Sequence, residues 1–222
     1  MVINPFVRFM IRIGITPNMV TTIGFLGSVA ASVLFVMAAH PGGGNVLAVG
    51  PKDLSYSLIG WGGGIMILFA LFDMLDGQVA RLGNMTSTFG AMYDSVLDRY
   101  SELFTLGGIS YMMISTGYWD GGLITFVALI GAIMVSYVRA RAEGLDIECK
   151  MGFMQRPERV VVTSVAALAT GIVGYCVPDF EAMNILIVAM CIIAVFANLT
   201  AFARLRHCYK ELSKKDKADA NK

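Results

Sequence analysis

Residues 54–72 read LSYSLIGWGGGIMILFALF, and the chain continues DMLDGQVAR over 73–81 and, after a gap of eight residues, GAMYDSVLD over 90–98. The first of these stretches is 19 residues long and contains no Asp, Glu, Lys or Arg. At a rise of 1.5 Å per residue, about 20 apolar residues cross a hydrocarbon layer roughly 30 Å thick. Residues 54–72 therefore read as a transmembrane helix that ends in a run of aspartates.

Working outward, the same test selects 19–39, 103–119, 121–138, 160–178 and 182–203, so that the six uncharged stretches have 17 to 22 residues each. They predict an all-α polytopic membrane protein with six transmembrane helices. Composition agrees, because 56% of the 222 residues are hydrophobic and only 15% are charged. A soluble domain carries roughly 25% charged residues, and a disordered chain lacks the apolar content. The four cysteines, Cys149, Cys176, Cys191 and Cys208, form no CxxC pair, which argues against a disulfide framework or a zinc site.

Ahead of the first span, Phe6, Phe9, Met10 and Ile13 share one helical face and Arg8 and Arg12 another, which predicts an amphipathic juxtamembrane segment over 1–18. Pro5 and the two arginines argue against a cleavable signal, and Thr16-Pro17-Asn18 breaks the segment before the first span. The six-helix domain is expected over 19–207 and a polar tail, partly disordered from Ser213, over 208–222. With six spans both termini share a face, and that face collects every one of the 17 lysines and arginines except Lys52. The positive-inside rule makes it cytoplasmic. The turns on the other side, Pro41-Gly42-Gly43-Gly44, the break at Asp120 and 178–181, carry nothing that looks like chemistry. The basic residues border the membrane, which suits lipid headgroups and not nucleic acid.

The aspartates carry the chemistry. Positions 73, 76, 77 and 80 fall on one helical face, two carboxylates followed by two very small residues, and positions 90, 94 and 98 line a face of the next helix. Four carboxylates so placed repel one another unless a cation relieves them. Short Asp side chains suit Mg²⁺ or Mn²⁺, and two such ions about 3.5 to 4 Å apart are a recurrent device for phosphoryl chemistry. Gly77, Ala80 and Gly90 would let a flat group or a phosphate approach the helix backbone, and Arg81 would add a positive fork.

This string resembles, with no departure, the signature of the CDP-alcohol phosphatidyltransferases, in which a CDP-activated lipid passes its phosphatidyl group to an alcohol and releases CMP. The resemblance extends over most of the chain, since that family also has six spans and a cytoplasmic site. It implies two divalent ions on Asp73, Asp76, Asp94 and Asp98, with Asp98 as general base on the acceptor hydroxyl. It implies a CDP site formed by Asp73, Asp76, Gly77, Ala80, Arg81 and Gly90, and it suggests a homodimer. Direct transfer to the alcohol is the expected route.

The second cytoplasmic link holds Arg139, Arg141, Arg156 and Arg159 at two adjacent helix ends. Guanidinium groups pair bidentately with phosphate oxygens, so this cluster predicts an acceptor that carries its own phosphate. The runs RARAE at 139–143 and RPER at 156–159 resemble the phosphatidylinositol-phosphate synthases of prokaryotes, which join CDP-diacylglycerol to inositol 1-phosphate. That resemblance implies acceptor phosphate binding by Arg141, Arg156 and Arg159, with Arg139 in place of a lysine and Arg204 completing the pocket. Archaetidylinositol-phosphate, phosphatidylglycerol-phosphate and phosphatidylserine synthases are the alternatives within the family. Intramembrane acids also mark ion pathways, so a cation transporter is the rival reading outside it.

Overall fold

The structure, a computed structural model, describes residues 4–40, 52–177 and 179–220. Among these residues the fold is all helical: α1 (Asn4–Arg12), α2 (Pro17–Ala39), α3 (Lys52–Leu82), α4 (Thr88–Ser115), α5 (Trp119–Glu143), α6 (Arg156–Cys176) and α7 (Met183–Ala220). The expected glycine turn at 41–44, and Pro178 of the last turn, lie outside the described residues.

Local chemistry sets the helix starts that matter for the site. Thr16 caps α2 by accepting from the Met19 N–H, and Pro17 occupies the first turn, where a missing N–H costs nothing. Ser87 caps α4 through its Oγ, which accepts from the Gly90 N–H at 2.9 Å. Between α4 and α5 the chain turns at Gly117 with φ +94°, a conformation that disfavours any side chain.

The helices pack in the order α2, α3, α6, α7, α5, α4 and back to α2, closing a ring. Its middle is filled by Phe35, Ile109, Met112, Met113, Leu186, Met190 and Ile193, each at most 1% exposed. Small residues permit the close crossings. A Cβ on Gly171 of α6 would lie 2.3 Å from the Gly60 Cα of α3, so these two backbones touch.

Five of these helices are long and apolar enough to cross a membrane: α2, α3 from Leu54, α5, α6, and α7 as far as Lys217. Helix α4 does not meet the same test because Asp98, Arg99 and Glu102 fall in its middle and it stops at Ser115, short of the expected boundary at Trp119. Helix α1 packs Val7 and Met10 against Val20 and Val79, leaving Phe6, Phe9 and Ile13 exposed. The tail expected to be partly disordered instead continues α7 to Ala220.

Candidate active site

Helix α3 has 31 residues and is about 46 Å long, so it outruns the hydrocarbon layer. Its final turns carry Asp73, Asp76, Gly77, Ala80 and Arg81 towards the first turns of α4, which carry Gly90, Asp94 and Asp98. A cleft of about 190 Å³ opens between them. Asp76, Gly77, Ala80, Gly90 and Asp94 line it, joined by Asn18 and Thr21 of α2 and by Ser87. A Cβ added to Gly77 would meet nothing closer than Arg81 Nη2, at 3.8 Å, so no packing contact explains the glycine. Arg81 is exposed and, like Asp73, is not among the residues that line this cleft.

The four carboxylates are held differently. Thr21 Oγ1 donates to Asp76 Oδ2 at 3.0 Å, and the Gly77 N–H donates to Asp76 Oδ1. Asp73 and Asp98, from different helices, share one nitrogen: Arg156 Nη2 lies 2.8 Å from Asp73 Oδ2 and 2.9 Å from Asp98 Oδ1. Helix α2 makes room at Gly24, where a Cβ would fall 2.3 Å from Asp73 Oδ1. Asp98 sits five residues ahead of the uncharged part of α4. Burial pushes its carboxyl up to about 7, with Arg156 acting the other way and the charges of Asp94 and Asp73 adding to the rise.

Arg156 is, among the described residues, the only cation ion-paired with these four aspartates. Among the described residues no three acids, histidines or cysteines form a ready-made cage for a metal ion. The donor chemistry nevertheless fits a hard divalent cation, being all carboxylate oxygen, with two of those oxygens already converging on one positive group.

A second cavity, about 390 Å³, lies on the other side of Asp94. It is lined by Asp94 and Asp98 of α4, by Ser136, Arg139 and Glu143 of α5, and by Arg156, Arg159 and Arg204. The structure thus brings four of the five expected acceptor arginines together. Arg141 is exposed and outside this lining, because two residues along a helix turn it some 200° away from Arg139.

Each lining arginine has its own restraint. Arg139 pairs with Glu143 one turn on, at 2.9 Å. Arg159 is 2% exposed, with Nε donating to Glu102 Oε1 at 2.8 Å and Nη1 to the Met154 carbonyl at 2.9 Å. Arg204, also 2% exposed, donates to the carbonyls of Met151 and Val135, both at 2.7 Å, and so ties the α5–α6 loop to α5 and α7. Glu102, Asn18 and Thr21 escaped the sequence reading. Glu102 stands one turn beyond Asp98 on the same face, and Asn18 and Thr21 are polar residues at the mouth of an otherwise apolar helix; those were the available signals.

The sequence profile described as CDP-alcohol phosphatidyltransferase matches residues 14–205. The phosphatidylinositol phosphate synthase of Mycobacteroides abscessus is 31% identical over 188 residues, covering 84% of this chain and 77% of that one. The archaetidylinositol phosphate synthase of Methanothermobacter thermautotrophicus is 32% identical over 201 residues, covering 90% and 87%. Among solved structures, phosphatidylinositol phosphate synthase of Mycobacterium tuberculosis with CDP-DAG bound superposes with a TM-score of 0.74 at 28% identity, covering 92% of both chains. The same enzyme in complex with manganese and citrate also gives 0.74, at 29% identity, covering 92% of this chain and 88% of that one.

Proposed function

The chain belongs to the CDP-alcohol phosphatidyltransferase family, and on that premise we propose that it transfers the phosphatidyl group of CDP-diacylglycerol to a hydroxyl of inositol 1-phosphate, releasing CMP. The products are phosphatidylinositol phosphate and CMP. The observation that carries the site assignment is the position of Asp94, a wall common to the glycine-lined cleft and the arginine-lined cavity.

The CDP moiety occupies the first cavity. Gly77, Ala80 and Gly90 let it lie against the helix backbone, with Asp73 and Asp76 beside it and Arg81 reaching in from the surface. Inositol 1-phosphate occupies the second, its phosphate on Arg139 and Arg156 while Arg159 and Arg204 build the floor. The acceptor hydroxyl then points towards Asp98, which lines that cavity and lies next to the shared wall. Asp98 takes the hydroxyl proton as the new O–P bond forms to the diacylglycerol-bearing phosphorus. The bond from that phosphorus to the CMP oxygen breaks, and CMP leaves with the electron pair. Two divalent ions, Mg²⁺ or Mn²⁺, on Asp73, Asp76, Asp94 and Asp98 would supply neutralisation of the pyrophosphate charge when bound.

The same reading makes α4, 28 residues long, a sixth crossing, supported by its place in the closed ring between α2 and α5. Six crossings put both termini and the site on the arginine-rich, cytoplasmic side, with α1 lying in the membrane surface. A homodimer belongs to this reading on the resemblance alone. The carboxylates sit where α3 outruns the hydrocarbon and not at mid-depth, which favours an enzyme over a cation transporter.

The test is purified protein in liposomes containing CDP-diacylglycerol and Mn²⁺, given labelled inositol 1-phosphate, glycerol 3-phosphate and serine in parallel. Lipid labelling from inositol 1-phosphate, matched by CMP release and abolished by EDTA, is the expected result. Incorporation of serine alone would overturn the acceptor pocket.

A further inference from the structure

Of the five arginines around the acceptor cavity, Arg156 alone is ion-paired with the carboxylates assigned to metal, and Arg99 donates to the Ser95 carbonyl of its own helix. Glu143 holds Arg139, Glu102 holds Arg159 and backbone carbonyls hold Arg204. Arg156 Nη2 lies between Asp73 Oδ2 and Asp98 Oδ1, at 2.8 and 2.9 Å, the place a cation shared by those two carboxylates would take. The fit is incomplete, because Arg156 Nε is buried with no hydrogen-bond partner among the described residues. Arg156 also opens α6, a helix end that its N-cap residue Gln155 leaves without a side-chain cap. An anion in the cavity would satisfy both the orphaned Nε and that helix end.

From this geometry we infer that Arg156 is an exchange residue: its guanidinium stands in for the divalent cation between Asp73 and Asp98, and on cation binding it swings into the acceptor cavity to meet the phosphate. The inference rests on the metal and acceptor sites proposed above and adds their coupling. A guanidinium and a divalent ion set on the same two oxygens repel each other strongly at such range, which favours one displacing the other. A released Arg156 has only a short path, because it already lines the acceptor cavity. The acceptor phosphate stabilises the released position, so the phosphate tightens cation binding and the cation tightens phosphate binding by the same factor, at least about fivefold for a coupling of ordinary size. Arg156 is thus a positioning residue that keeps the carboxylates charge-balanced until both ligands are present.

The experiment reads Mn²⁺ binding by electron paramagnetic resonance on the full chain in nanodiscs, with and without inositol 1-phosphate. In the wild-type protein inositol 1-phosphate should tighten Mn²⁺ binding at least about fivefold. Arg156→Gln should bind Mn²⁺ more tightly than wild type in the absence of the acceptor and lose the coupling. Arg139→Gln, which removes a charge from the same cavity wall, should leave acceptor-free Mn²⁺ binding near the wild-type level, which separates exchange from a mere change in local charge. A second readout needs no variant: Mn²⁺ should speed phenylglyoxal modification of Arg156 in the wild-type protein, followed by peptide mass spectrometry. Equal Mn²⁺ affinity in wild type and Arg156→Gln, or Arg156 reactivity indifferent to Mn²⁺, would overturn the exchange and leave the metal site standing. Absence of Mn²⁺ binding in every protein would overturn the site and the exchange together.

Discussion

At Gly24 an added Cβ would lie 2.3 Å from Asp73 Oδ1, whereas at Gly77 it would approach only Arg81 Nη2, at 3.8 Å. The two glycines therefore predict opposite phenotypes. Gly77→Ala should fold at least as well as wild type, since alanine is favoured over glycine inside a helix by about 1 kcal/mol. It should nevertheless lose turnover, tenfold or more for a barrier raised by about 1.4 kcal/mol, because the methyl projects into the CDP cleft. Thermal unfolding and CMP release on the same preparation check both halves. Gly24→Ala should instead lose stability, by about 1–3 kcal/mol for an overpacked contact, and lose Mn²⁺ affinity as Asp73 is driven aside. For the proposed base, Asp98→Asn should lower turnover about 10²- to 10⁴-fold while CDP-diacylglycerol binding, measured by ligand-induced thermal shift, persists. Retention of near-normal turnover would remove Asp98 from the base role.

At the scale of the element, α4 shows what could be read from sequence and what could not. The spacing of Gly90, Asp94 and Asp98 placed them on one helical face, and the cleft and cavity that meet at Asp94 agree with it. The crossing itself was legible only as an uncharged run, so its end was set at Trp119, where α5 in fact begins. A run of uncharged residues says nothing about a three-residue turn inside it, and Gly117 was the only local signal. The RARAE run on α5 was read as a cluster, but proximity in sequence is not proximity on a helix. Arg139 and Arg141 point apart, whereas Arg204, far away in the chain, closes the cavity. Glu102 was invisible because an acid at a membrane boundary reads as a headgroup contact until its partner is known. That partner is Arg159, and both side chains are nearly fully buried. Glu102→Ala should cost about 3–5 kcal/mol by leaving a buried charge unpaired. Adding Arg159→Met should recover much of that stability without restoring activity, a double-mutant cycle that denaturation and CMP release together would resolve.

At the scale of the whole molecule, the ring order α2, α3, α6, α7, α5, α4 was beyond the reach of the sequence, because six apolar segments carry no label saying which touches which. Nor does the sequence say which glycines meet across helices, as Gly60 of α3 does with Gly171 of α6. Orientation, by contrast, rests on charge counting and can be tested directly. Cys176 is exposed at the end of α6 remote from the carboxylates, whereas Cys149 and Cys208 are buried beneath the arginine-rich side. In right-side-out vesicles an impermeant maleimide should label Cys176 and spare the other two, read by mass spectrometry. Labelling of Cys149 or Cys208 from outside would invert the topology.

Away from the two cavities, the middle of the helical ring is filled by side chains such as Phe35, Met112, Leu186 and Met190. A molecule built this way can exchange lipids only sideways, with the monolayer that its site faces. Substrate is drawn from that monolayer and product is returned to it, so each turnover adds headgroup charge to one side of the bilayer alone. The membrane's sidedness in this lipid is thus set at the moment of synthesis.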